Sequence, residues 1–445
     1  MRSSILMIIT VVVAISASTI SVRLAQAQQS KQPSRYYVFN LGDPGGGTGA
    51  AAASINNVGW IAGSALQPGN ASEHAELWVG TPVDLNTLGG PNSAVAWPNK
   101  NNHGQVAGIA ETADINPLNE AWSCALANFP TVTNHVCNGF IWEAGVMSAL
   151  PPLPGGIDSY AAALNNNGQV VGWAENGVHD PTCNNTPPYN QVLQFEAVVW
   201  GPKLGEMTQL ASFGSDPDSA ATAINDKGQI VGISGLCSNA VGGTSAEHAV
   251  LWQNKYTAPV DLGNFDGGLA WNTPTALNNH AQVVGFGNQQ GSPANEFNPI
   301  AFYWTHEHGI QSIPPIGDDT NSWAWGINKR GVAVGQSFGG SDDPLGRAFI
   351  YQNGQLTDLN ALVQPDSSLH LELANDINDE GEIVGFAQDT LTGATIAFLA
   401  IPVPGGNQSA PSRVEGHLRD NATLSPRQPL AGTFRRFTAT VPRSR

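Results

Sequence analysis

The sequence predicts an all-β protein, a seven-bladed β-propeller of four-stranded antiparallel blades, and three observations carry that prediction. A phrase of the form ATAINDKGQIVGIS, residues 221–234, recurs seven times. Each copy is followed by a second apolar phrase such as HAVLW at 248, so one copy supplies more than a single hairpin. The seventh copy ends one strand short, while YYVFNLG at 36–42 stands before the first copy and reads as a strand with no hairpin of its own. Composition agrees, since 50 Gly and 30 Pro against 12% charged residues describe short strands and turns, not long helices.

Taken in chain order, residues 1–27 read as a secretory signal: Arg2 is the charged start, Ile5 to Ile15 the apolar run, and Ala25-Gln26-Ala27 a small-x-small cleavage site. A membrane anchor is the weaker reading, because the run is shorter than the roughly 20 apolar residues that span a bilayer. No cysteine precedes Cys124, so a lipid-modified N-terminal cysteine is not expected. The mature chain is expected to be secreted, without a membrane anchor, and monomeric.

The repeats occupy 28–404. Their common Asn falls at 56, 101, 165, 225, 278, 328 and 378, at intervals of 45 to 64 residues, one supersecondary unit per copy. Six copies place Gly three residues after the Asn, and Ala281 replaces it in the fifth; all seven close on Gly63, Gly108, Gly172, Gly232, Gly285, Gly335 or Gly385. Apolar runs around an Asn-x-x-Gly turn make a hairpin of strands a and b. The second phrase (HAELW at 74, NGFIW at 138, EAVVW at 196, HAVLW at 248, IAFYW at 300, RAFIY at 347, IAFLA at 396) is strand c, and stretches such as PVDLN at 82 are strand d. The last copy runs out after strand c, so the 36–42 strand is expected to complete its sheet and close the ring, which protects strand edges. An open superhelical solenoid is the alternative. Strand a, rich in small residues such as Ala161 to Ala163, belongs at the crowded centre; Pro98 and Lys100 make the second copy's strand a short or irregular.

The residues that make this alignment, A-x-x-[IL]-N-x-x-G-x-[IV]-[VA]-G followed by H-A-x-L-W and D-L-x-x-L-G-G, resemble the bacterial extracellular HAF repeat family over nearly all of 36–404. His74-Ala75 with Asp84-Leu85 through Gly90, and His248-Ala249 with Asp261-Leu262-Gly263, match best, whereas Ile300, Arg347 and Ile396 replace the His later. The resemblance implies an exported repeat protein and brings no catalytic residue with it.

The long insertions, 109–138, 173–194 and 233–247, are all b-to-c loops and emerge on one face. They hold all four cysteines, which an oxidising compartment pairs. Three connectivities exist; Cys124 with Cys137 and Cys183 with Cys237 is the expected one, the second joining neighbouring blades. No C-x-x-C spacing suggests zinc. On the same face the d-to-a loops carry Asp43, Asp158, Asp216, Asp218, Asp266, Asp318, Asp319 and Asp366, with Asn92 in the second copy, as a ring of carboxylates at the channel mouth. Trp97, Trp271, Trp323 and Trp325 lie near these loops. Indole faces beside carboxylates suit sugar rings, Ca²⁺ or a cationic ligand. The plainer reading is that the Asp residues stabilise turns and the Trp residues fill gaps between blades.

Other constellations are weaker. His306-Glu307-His308 looks metal-ligating but sits in a c-to-d turn on the opposite face, and His74 and His248 suit packing or hydrogen bonding better than a catalytic pair. Asn225-Asp226 and Asn378-Asp379 lack the spacing of a Ca²⁺ loop, and no G-x-S-x-G, H-E-x-x-H or phosphate loop occurs. The 28–404 body carries 9 Lys and Arg against 33 Asp and Glu, which repels phosphate backbones and excludes nucleic acid as its partner. The 405–445 tail, with 7 Arg against 2 acids, reads as a disordered basic extension. The functional expectation is a secreted binding module for a glycan or extracellular protein that requires no cofactor, with Ca²⁺ compatible. A polysaccharide hydrolase or lyase using two ring carboxylates, and a structural scaffold, are the alternatives.

Overall fold

The computed structural model describes residues 35–125, 129–131, 133–183, 190–203, 205–238, 246–265, 272–289, 298–364 and 367–403. The expected leader and basic tail lie outside them. The described residues form seven four-stranded antiparallel sheets in a ring, a β-propeller. Strand a, innermost, is Ala50–Ile55, Gly89–Ala94, Gly155–Leu164, Asp218–Ile224, Thr273–Leu277, Asn321–Ile327 and Leu369–Ile377 in blades 1 to 7. Strand b follows as Ile61–Leu66, Gln105–Ile115, Val170–His179, Ile230–Gly235, Val283–Asn288, Ala333–Phe338 and Ile383–Asp389. In blade 2 strand a stops at Ala94, before Pro98 and Lys100.

The ring closes as the sequence predicts. The N-terminal strand Arg35–Asn40 pairs antiparallel with Thr395–Val403, from Arg35 opposite Val403 to Asn40 opposite Phe398, and is strand d of blade 7. Its outer edge is covered by Gln364, whose side chain accepts from Val38 N at 2.9 Å and donates to Val38 O at 3.2 Å. That pairing satisfies backbone groups that would otherwise template another strand.

The repeated glycines have two distinct causes. Gly three residues after the Asn takes positive φ in the a-to-b turn, as at Gly228 (76°), and Ala281 holds the same conformation at 57°. The closing Gly meets a steric limit instead. In six blades strand a carries a bulge at this level, and a Cβ on any of the seven closing glycines would collide with a strand-a carbonyl. In blades 2, 5, 6 and 7 it would also strike the ring of Phe140, Phe302, Phe349 or Phe398, which pack at the middle of strand c.

The repeated Asn does more than turn its own hairpin. Its Oδ1 accepts from the backbone two and four residues on, as Asn225 does from Lys227 N and Gln229 N at 3.0 Å. Its Nδ2 donates to the backbone oxygen of the corresponding Asn in the next blade. These links run from Asn56 to Asn101, Asn165, Asn225, Asn278, Asn328, Asn378 and back to Asn56, at 2.8 to 3.3 Å. All seven residues are buried, so a closed circle of amide hydrogen bonds ties the blades together on the a-to-b side. The following residue makes a second circle from backbone N to side-chain oxygen, as from Asn57 to Asn102 and Asn166 to Asp226; it is interrupted at Lys329, which has no acceptor to offer Asn279.

Candidate functional site

The opposite face is uneven. Strand b has 11 residues in blade 2 and 10 in blade 3 against 6 in blade 1, and the extensions carry the long loops. Two disulfides fasten them, Cys124–Cys137 within blade 2 and Cys183–Cys237 between blades 3 and 4, with Cα separations of 5.7 and 4.6 Å. Both pairs are the expected ones. Hydrogen bonds add to the fastening: Ala121 N to Asn190 O at 3.0 Å and Asn116 N to Asn134 O at 2.9 Å. Above this ordered base Ile115, Leu118, Val178 and Leu236, from three consecutive blades, expose 42 to 61% of their surface.

Beneath the loops lies a group of acids. Glu120 comes from the blade 2 loop, Asp158 from strand a of blade 3 and Glu175 from strand b of blade 3. Each is at most 1% exposed, and a carboxylate oxygen from each lies within 4.8 Å of the other two. Glu120 Oε1 accepts from Val192 N at 2.8 Å and Leu193 N at 2.7 Å. Asp158 accepts from Cys137 N and the Asn116 amide, both at 2.9 Å. Glu175 accepts from Ile157 N at 3.1 Å, Asp158 N at 2.8 Å and the Gln191 amide at 2.7 Å. Glu120 Oε2 and Gln191 Oε1 are buried without a hydrogen-bond partner. Burial raises all three pKa values, neighbouring carboxylates raise Asp158 and Glu175 further, and the donors pull the other way. In blade 4, burial and the Asp180 carboxylate push Asp218 up to about 9, so it holds a proton at neutral pH.

The carboxylates expected at the channel mouth do not form an open ring. Asp158 and Asp218 are buried between blades, where each accepts from the backbone of the preceding strand c, Asp218 from Phe195 N at 2.9 Å. Asp216 pairs with His248 at 2.9 Å, as Asp84 does with His74, so both repeat histidines hydrogen-bond within the scaffold. Asp319 is buried against Arg347 at 3.1 Å. Exposed Asp318 accepts from the Ser341 hydroxyl and backbone and from Asp342 N, which hold its pKa below the usual carboxylate value. Asp43 is held in its own glycine-rich loop and raised by burial. Asp266, Trp271 and Asp366 lie outside the described residues. Asp158, Asp216, Asp218, Asp318 and Asp319 thus take partners on neighbouring strands and loops, because a carboxylate packed at the start of strand a must be met by donors there.

Three of the tryptophans do meet. Trp97 of blade 2 lies 5.3 Å from Trp325 of blade 6, and Trp325 lies 6.1 Å from Trp323. Blades 2 and 6 are not neighbours, so this contact crosses the axis and fills the channel. Trp97 is buried and Trp325 packs on the core around Tyr160 and Trp173, whereas Trp323 is half-buried at strand a and donates to Gln336 at 3.0 Å. His306, Glu307 and His308 lie exposed in the c-to-d turn, away from these groups.

Sequence reasoning did not single out Glu120, Glu175 or Gln191. One signal was present: Glu111 and Glu175 both stand three residues after a closing glycine, and each accepts from the backbone near the start of its own strand a, Glu111 from Asn92 N at 3.1 Å. Nothing local marks Glu120, which reaches Glu175 only because the blade 2 loop folds onto blade 3.

No protein-family model matches the chain, and no curated protein matches it. Among solved structures, a gluconolactonase-like protein is similar at 12% identity and a TM-score of 0.26, covering 47% of this chain and 71% of its own. A protein of unknown function from Bacteroides thetaiotaomicron gives 9% identity and 0.32, covering 74% of this chain and 82% of its own. Porphyromonas gingivalis dipeptidyl peptidase 4 also gives 9% and 0.32, covering 80% of this chain and 47% of its own. At these values none of them bears on function.

Proposed function

We propose that this chain is a secreted binding module that takes an extracellular ligand, a glycan or a protein, on the elaborated face. The single observation behind this reading is the asymmetry of the ring: two disulfides and a buried polar network fasten together the described parts of the loops of blades 2 to 4, while apolar side chains stay exposed where strand b runs into those loops. Ordering long loops opposes folding through lost chain entropy, and a preorganised surface lowers the entropy cost of binding. The disulfides also fit an oxidising compartment, in keeping with the export that the resemblance to the HAF repeat family implies.

For a glycan, Trp323 offers the stacking surface: Trp323 and Trp325 are both half-buried, but Trp325 packs on the core around Tyr160 and Trp173. Trp323→Ala is expected to weaken binding of a glycan found on a polysaccharide array by about tenfold while thermal stability changes little. Trp325→Ala is expected to destabilise the fold instead, because Trp325 belongs to the axial core. Equal loss of stability in both variants would remove Trp323 from the site. A polysaccharide hydrolase finds less support, because the acids that approach one another are buried beneath the loops, where a glycosidic bond does not reach.

A further inference from the structure

We infer that Glu120, Asp158 and Glu175 form a calcium site that clips the disulfide-tied loop of blade 2 onto blade 3. The three carboxylates come from separate parts of the chain, and among the described residues none has an ion pair with Lys or Arg. Buried charge of one sign calls for either protons or a counter-cation. The surroundings favour the cation, for the donors around the group are oriented toward ionised oxygens. Glu120 is gripped by two backbone N–H groups, Glu175 by two backbone N–H groups and an amide, and Asp158 by one of each. A single proton on Glu120 Oε2, the one carboxylate oxygen of the six without a donor, would satisfy that atom and still leave two ionised carboxylates buried without a counter-charge.

Two further acceptors carry the inference beyond a cluster of acids. Glu120 Oε2 and Gln191 Oε1 are both buried, both lack a partner, and both belong to side chains already fixed to this group, Gln191 by its 2.7 Å bond to Glu175. Oxygen ligands about 2.3–2.6 Å from a calcium ion stand no more than about 5 Å from each other, and one oxygen from each of the three carboxylates lies within 4.8 Å of the others. All the candidate ligands are hard oxygen donors from protein, with carboxylates able to bind through one or both oxygens. Ca²⁺ accepts such a set readily, whereas Mg²⁺ keeps several waters and zinc prefers nitrogen and sulfur.

The test uses the full mature chain with both disulfides intact, stripped with EGTA, and CaCl₂ as the probe. Titration calorimetry and native mass spectrometry are expected to show one Ca²⁺ per chain, and the melting temperature is expected to rise when calcium is restored. Glu120→Gln and Asp158→Asn are each expected to lower calcium affinity by on the order of tenfold or more, while Asp318→Asn, at an exposed acid elsewhere on the face, leaves it unchanged. Should a site variant fail to fold, the wild-type titration alone still decides. Absence of binding at millimolar calcium, with Glu120→Gln raising the melting temperature at neutral pH, would make the group a proton-holding cluster. Calcium binding that survives both site substitutions would place the ion elsewhere and overturn the inference equally.

Discussion

At the scale of single residues, the departures from the repeat are as informative as the repeat. The middle of strand c is Phe140, Val198, Val250, Phe302, Phe349 and Phe398 in six blades but Glu76 in the first, where it is 1% exposed. Burial, with Asp84 and Asp43 nearby, pushes its pKa up to about 8, so the side chain folds as the neutral acid and must lose water as an anion above that pH. Glu76→Gln keeps the shape and removes the charge. It is expected to be near neutral at pH 4 and to stabilise the protein progressively as the pH rises to 8, by roughly a few kcal/mol at pH 9, measured by denaturant unfolding. An equal effect at pH 4 and pH 9 would show that packing, not charge, sets the strain at this position. The glycines and the Asn were legible as a repeat from sequence, but their reasons were not. A periodic Gly looks the same whether a turn needs positive φ or a bulged strand leaves no room for Cβ.

At the scale of elements, strands are specified by alternation and turns, and the sequence places them well. What it under-specifies is how loops lie across blades. The Cys183–Cys237 bond closes a loop of 54 residues and joins the outer loop of blade 3 to blade 4. Replacing both cysteines by Ala is expected to destabilise the protein by about 4 kcal/mol, a figure that follows from loop-closure entropy in the unfolded chain. The same change is expected to loosen the b-to-c loops in hydrogen exchange while the Asn circle on the far face keeps its protection. Uniform loss of protection would mean that the disulfide stabilises the ring as one unit. The pairing itself could be chosen from spacing because each pair lies within or between adjacent insertions on one face. The acidic group could not, since Glu120 and Glu175 are 55 positions apart and nothing periodic connects them.

At the scale of the whole molecule, the propeller is an acidic body with several carboxyl groups buried inside it. Glu76 and Asp218 have pKa values pushed up to about 8 and 9, and Glu120, Asp158 and Glu175 are raised as well. The titratable groups facing them include His179, which draws Glu120 down, Asp180 and Glu196 beside Asp218, and Asp84 and Asp43 near Glu76. Between the ordinary carboxylate pKa near 4 and these raised values the folded chain binds more protons than the unfolded one, so raising the pH through that window costs stability. In calcium-free buffer, thermal stability is therefore expected to be highest near pH 5 and to fall by roughly a few kcal/mol toward pH 9. With calcium bound at the inferred site, Glu120, Asp158 and Glu175 are already ionised and the decline is expected to be shallower. A flat profile without calcium would contradict the burial of these acids. The sequence by itself determined the repeat, the number of blades and the closure by the N-terminal strand, because each follows from local pattern or from counting strands at the two ends; it preferred one of three cysteine pairings, and the structure selected it. Only the tertiary structure decided that the loop aspartates take partners on neighbouring strands and loops instead of ringing a channel, that tryptophans from opposite blades fill the axis, and that three acids meet under one loop. Those outcomes depend on which side chains from distant positions share a dry space, and neither periodicity nor residue type encodes that distance.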